Sequence, residues 1–139
     1  AGALGGIESI ISAEDIIEAQ ALTRRIPVCD QVLGYAHALV RATRPGTEEA
    51  PDFVNESVGW GAGPRGVLSL ISCAKARALL KGRYHTSVED VQAVVLPALR
   101  HRIAPNYAGM AAGLDSEKLL ELLLEAVPAD QTFAEPAAV

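Results

Sequence analysis

Seven basic side chains stand between positions 64 and 102, namely Arg65, Lys75, Arg77, Lys81, Arg83, Arg100 and Arg102, against only Glu89 and Asp90. Most are arginines, planar forks that stay charged and pair bidentately with phosphate or carboxylate. The segment nets +5 within a 139-residue chain of overall charge -5, so the remainder carries -10. The average excludes a bulk polyanion binder, but a local anion site survives it. A charge run is ordinarily a solvated face; these residues come from two helices and the turn between them, which also fits an anion site.

Arg65 differs from the others in its setting. It follows the glycine-rich run Gly59-Trp60-Gly61-Ala62-Gly63-Pro64 at the predicted start of a helix, where Pro64 suits the first helical position because its missing N–H costs nothing there. An arginine in that first turn opposes the positive end of the helix dipole unless an anion is nearby. At 100° per residue Arg65, Ser69, Ser72 and Ala76 share one sector, while Val67, Leu68, Ile71 and Leu79 form the bulky stripe expected to enter the core. On spacing alone, anion binding and a surface arginine capping the glycine-rich loop are equal readings.

Other chemistry finds little support. No GxxxxGK[ST] phosphate loop, GxSxG elbow or HExxH helix is present, so the chain by itself is not expected to turn over a nucleotide. His37, His85 and His101 are scattered, and His101 lies between two arginines, so no metal site is expected. Cys29 and Cys73 stand apart among apolar neighbours and read as small buried hydrophobes in a reduced, cytoplasmic setting. No apolar run reaches membrane-spanning length.

The elements that must position these residues are helical. Half of the residues are hydrophobic and only 4% aromatic, so the core rests on Ala, Leu, Val and Ile. Ser12 with Asp15 predicts a capping box and a first helix ending near Arg24-Arg25. A second helix carries the stripe Val32, Leu33, Ala36, Leu39, Val40 and stops before Pro45. Residues 44-63 read as one long loop. The third helix, from Pro64, ends at Gly82; Ser87 and Asp90 cap a fourth, which Pro97 should kink or restart. Residues 104-114 read as loop, and Asp115 caps a final leucine-rich helix. The expectation is an all-α, compact bundle of about five helices over residues 7-127. Residues 1-6 read as a leader, linker or excision scar, and 128-139 as a frayed tail.

Taken together, Gly61-Ala62-Gly63-Pro64-Arg65, Leu70, Ala74, Ala76, Ala78, Gly82-Arg83, Asp90-Val91 and Leu99-Arg100-His101-Arg102-Ile103 resemble the C-terminal helical lid of MoxR-type AAA+ ATPases. Val32, Tyr35, Leu39, Val40 and Ala42-Thr43-Arg44 match the same pattern in order and spacing, extending the resemblance over residues 8-127. Gly63 stands where relatives often have Ser, and Gly66 where they often have Ala; both departures loosen the turn without touching the arginine.

The resemblance implies that Arg65 is the sensor 2 residue, reaching the γ-phosphate of ATP on a separate P-loop domain, with Gly63 and Pro64 forming the adjoining turn. It implies ATP and Mg2+ in a parent hydrolase, a homo-oligomeric ring, and a chaperone role in assembling or activating protein complexes. A protein with a von Willebrand factor A domain is an implied partner. For Arg83, Arg100 and Arg102, salt bridges between subunits or domains are favoured over phosphate contact. The alternative from another class is a helical module binding nucleic acid through residues 64-102; the scarcity of stacking aromatics weighs against it.

Overall fold

A computed structural model describes residues 9–129. The leader at 1-6 and the tail from 130 onward lie outside the described residues. The elements run α1 (Ala13–Arg25), α2 (Asp30–Ala42), α3 (Asp52–Ser57), β1 (Val58–Trp60), α4 (Pro64–Leu80), α5 (Val88–Leu99), β2 (Ala104–Pro105), α6 (Tyr107–Ala111) and α7 (Ser116–Ala126). Five helices of eleven or more residues form the bundle.

Its core lies among α2, α4, α5 and α7, where Tyr35, Leu39, Leu70, Leu99, Leu120 and Leu123 are fully enclosed. The stripe on α2 reaches this core through Val32, Tyr35, Ala36, Leu39 and Val40. Capping at Ser12 and Asp115 follows the sequence: Ser12 Oγ accepts from the Asp15 N–H at 3.1 Å, and Asp115 Oδ1 from the Lys118 N–H at 2.8 Å. Gly82, at φ +70°, ends α4, with the Arg83 N–H donating to Ala78 O and the Gly82 N–H to Leu79 O, each at 2.9 Å.

Several expectations change. The long segment before α4 contains α3 and β1, and the 104-114 segment contains β2 and α6. β1 and β2 pair antiparallel, Val58 opposite Pro105 and Trp60 opposite Ala104. Asn106 joins these pieces: its Oδ1 accepts from the Gly109 N–H, its Nδ2 donates to Glu56 O, and its N–H donates to Ser57 O. These elements are too short to show a sequence period, and long-range bonds define them instead. α5 runs through Pro97 without a break and ends two residues later.

α4 turns a different face inward from the one its bulky residues suggest. Gly66, Val67, Leu70, Ala74 and Ala78 are buried, whereas Leu68 is exposed and Ile71 and Leu79 only half-buried. The reason is proximity. A Cβ at Gly66 would lie 3.2 Å from Leu99 Cδ2 and 3.4 Å from Val40 Cγ2, so small residues let α5 and α2 pack close to α4. The larger side chains line a groove of about 1050 Å³ between α4 and α1, which itself buries no residue completely. Cys29 and Cys73 are exposed free thiols rather than buried hydrophobes: Cys29 is the N-cap residue of α2, and Cys73 lies on the outward side of α4, whose inward face is already filled. Among the described residues, no helix is long and apolar enough to cross a membrane.

Candidate functional site

The start of α4 is held by a clasp from the end of α2. Thr43 is buried; its Oγ1 donates to Val40 O at 2.6 Å and accepts from the Ala62 N–H at 2.8 Å. Arg44 Nε donates to Ala62 O at 2.9 Å, so both backbone polar groups of Ala62 are satisfied by consecutive side chains. Gly61 permits the approach: a Cβ there would fall 2.3 Å from Thr43 O, an overlap no rotamer relieves. The Thr43-Arg44 pair therefore fixes the turn that aims Arg65, a role that spacing along the chain does not reveal.

From this clasp the chain enters α4 through Gly63 and Pro64. Gly63 is the N-cap, with extended backbone and no side-chain cap bond, and the first turn of α4 contains no acid. The other helices of eleven or more residues all begin with Asp or Glu in that turn. Arg65 is exposed, and among the described residues its guanidinium has neither a hydrogen-bond nor an ion-pair partner. It lines a pocket of about 540 Å³ with Trp60, Gly63, Pro64 and Arg102, and no carboxylate is among the lining residues. Two arginines thus line one pocket at the positive end of a helix, with no acid among its described lining residues.

The three arginines grouped in the sequence have different fates. Arg83 extends from the Gly82 turn to Asp90, donating Nη1 to Oδ2 at 2.8 Å and Nη2 to Oδ1 at 2.5 Å. Arg77 adds Nη1 to Oδ1 at 2.7 Å, and the Ser87 N–H and Oγ–H complete the shell around Oδ2 at 3.0 and 3.1 Å. Asp90 is wholly buried, and this shell, led by the Arg83 guanidinium, holds its carboxyl well below the usual carboxylate range. The same pairing raises the Arg83 guanidinium. Arg100 bridges to the exposed Glu117 at 3.2 Å. Among the described residues Arg102 makes no ion pair, and its hydrogen bonds go to neutral oxygens. Of the seven basic residues, Arg77 and Arg83 hold α4 to α5 through Asp90, and Arg65 and Arg102 line the pocket.

Gly61, Gly63 and Gly66 also spell GxGxxG, the dinucleotide fingerprint. That fingerprint works only in a parallel βαβ unit, whereas β1 pairs antiparallel with β2, so the spelling here has no such meaning.

Comparison with known proteins fits this geometry. The family model described as AAA lid domain matches residues 52–121, half of the chain, and includes both the Arg65 turn and the Asp90 shell. The chain belongs to the AAA lid domain family. Over most of its length it is similar to MoxR proteins. "Chaperone MoxR1" of Mycobacterium tuberculosis is 30% identical over 129 residues, 93% of this chain and 34% of that protein. "Protein MoxR" of Methylorubrum extorquens is 34% identical over 125 residues, 88% and 33% respectively. The crystal structure of a candidate ATPase from Cytophaga hutchinsonii superposes with a TM-score of 0.80 at 28% identity, covering 87% of this chain and 37% of that one. The lid thus spans about a third of the length of the curated relatives it matches.

Proposed function

We propose that this lid closes over ATP held by the P-loop domain of a larger AAA+ hydrolase, and that Arg65 senses the γ-phosphate. The observation that carries the reading is the unpaired Arg65 guanidinium at the acid-free start of α4, on a turn clasped by Thr43 and Arg44. Its neighbourhood suits an anion. A permanently charged fork there lowers the energy of a phosphate group and distinguishes its presence from its absence. No carboxylate lines the pocket, so the ligands of Mg2+ would come from the P-loop domain. ATP supplies the scissile phosphoanhydride; Arg65, Gly63 and Pro64 supply charge, a close backbone approach and a fixed direction.

Pro64 lines both the Arg65 pocket and the α1–α4 groove. In this reading the parent works in the cytoplasm as a homo-oligomeric ring, with Arg100 at a subunit or domain boundary. Its role is that of a chaperone in complex assembly, with a von Willebrand factor A domain protein as a further partner. The names of the MoxR relatives support the chaperone part. The division of the basic residues between Asp90, Glu117 and the pocket weighs against a nucleic-acid face.

The test is steady-state ATP hydrolysis by the full-length protein carrying Arg65→Lys or Arg65→Ala. Both variants should lower kcat, because a point charge does not replace the fork; an unchanged kcat in both would remove Arg65 from the mechanism.

A further inference from the structure

Arg102 is anchored on two sides without being neutralised on either. Its Nε donates to Ala98 O at 3.2 Å and its Nη2 to Ser69 Oγ at 3.1 Å, while the Ser69 hydroxyl donates to Arg65 O at 3.0 Å. Ser69 lies one helical turn beyond Arg65, so this relay places the end of α5 beside the start of α4. Nη1 of Arg102 has no hydrogen-bond partner among the described residues, and Arg102 lines the same pocket as Arg65. Neighbouring Arg100, by contrast, bridges to Glu117 and lies outside that pocket.

Two guanidinium groups in one concavity repel unless an anion joins them. A single carboxylate can bridge two forks, as Asp90 does, but brings one negative charge against two positive ones; a polyphosphate chain carries enough charge and acceptor oxygens for both. We infer that Arg102 is a second phosphate-binding residue, sharing with Arg65 the polyphosphate chain of the bound nucleotide and held in place by Ser69 and Ala98. The inference rests on the reading of Arg65 as a phosphate contact. It assigns Arg102 to the nucleotide rather than to a boundary between subunits.

Trp60, the chain's single tryptophan, lines the pocket and is a built-in reporter. Inorganic tripolyphosphate is titrated into the 139-residue chain at low salt, following Trp60 fluorescence, with thermal melts to confirm folding. Arg65→Gln and Arg102→Gln should each weaken binding roughly tenfold, the loss expected for a charge-assisted hydrogen bond. Arg100→Gln, with the same charge change outside the pocket, should leave binding within about twofold.

Loss with Arg65→Gln but not with Arg102→Gln overturns the inference and leaves the Arg65 reading standing. Indifference to both variants, or no saturable binding at millimolar tripolyphosphate, overturns both. Equal weakening by Arg100→Gln marks diffuse attraction and overturns the inference. If Arg102→Gln does not fold, Arg102→Lys takes its place: it keeps the charge but cannot hold both anchors, and unaltered affinity in that variant overturns the inference.

Discussion

Arg77 and Arg83 close on Asp90 from the side of the domain where α4 ends, while Arg65 and Arg102 line one pocket where α4 begins, and the two pairs carry the same charge to opposite use. At the first, a wholly buried carboxylate accepts from both guanidinium groups and from Ser87, so the charge is spent on joining α4 to α5. At the second, only neutral oxygens are offered, and the charge remains available to something from outside. Net charge along the chain does not distinguish the two. The partners do, and they separate a residue that holds the fold from one whose charge is left uncompensated among the described residues.

The contrast is broken most severely at Asp90. Asp90→Ala leaves two arginines facing an emptied site and should cost about 3 kcal/mol, measured by chemical denaturation, since their partial exposure places the loss near the low end for a broken buried pair. Its pH dependence has a definite sign. The folded carboxyl titrates below its ordinary value of 3.8, so its stabilisation is fully present above that value and is lost as pH falls toward the folded pKa. The wild-type chain should lose stability on acidification below about pH 4, and Asp90→Asn should flatten that limb; identical acid limbs would exclude Asp90 as their source.

Next in size is the clasp. Thr43→Val removes the acceptor of the Ala62 N–H inside the protein and should cost about 1–3 kcal/mol in the same assay. It should also loosen tripolyphosphate binding, because the clasp aims Arg65; a stable variant with unaltered binding would show that the turn needs no such hold. The smallest effect is at Gly63. Open space surrounds its Cβ position, so Gly63→Ser can cap α4 and should add a few tenths of a kcal/mol to stability. Because the new hydroxyl also occupies the N–H groups left for an anion, tripolyphosphate affinity should not rise with it.

Much of this was legible in the sequence. Residues that act on near neighbours announced themselves: Ser12 with Asp15, Asp115 before its leucines, Gly82 after α4, Pro64 at its start. The five main helices follow from those signals and from the apolar stripes. Contacts across long stretches of chain were not legible. Asp90 reads as a capping residue, yet its main partners stand 13 and 7 residues away. Thr43 and Arg44 act on Ala62, 19 and 18 residues on, and nothing in their own periodicity says so. The bulky residues of α4 misdirected the core because close packing against α5 selects small side chains, so Gly66, Ala74 and Ala78 face inward while Leu68 faces out. The place of Arg65 in the first turn of α4 is legible in the sequence, whereas the bond from Arg102 to Ser69, 33 residues away, is not.

The most direct measurement compares Arg65→Ala and Arg83→Ala in the full-length protein, recording ATP hydrolysis and thermal unfolding for both. Arg65→Ala should lower hydrolysis by about two orders of magnitude or more, while its melt stays close to wild type, as for an exposed residue without partners. Arg83→Ala should do the reverse, melting early but hydrolysing within a few-fold of wild type at temperatures where it remains folded. Hydrolysis undiminished in Arg65→Ala, together with a lid weakened by several kcal/mol, would make Arg65 a structural residue and contradict the account.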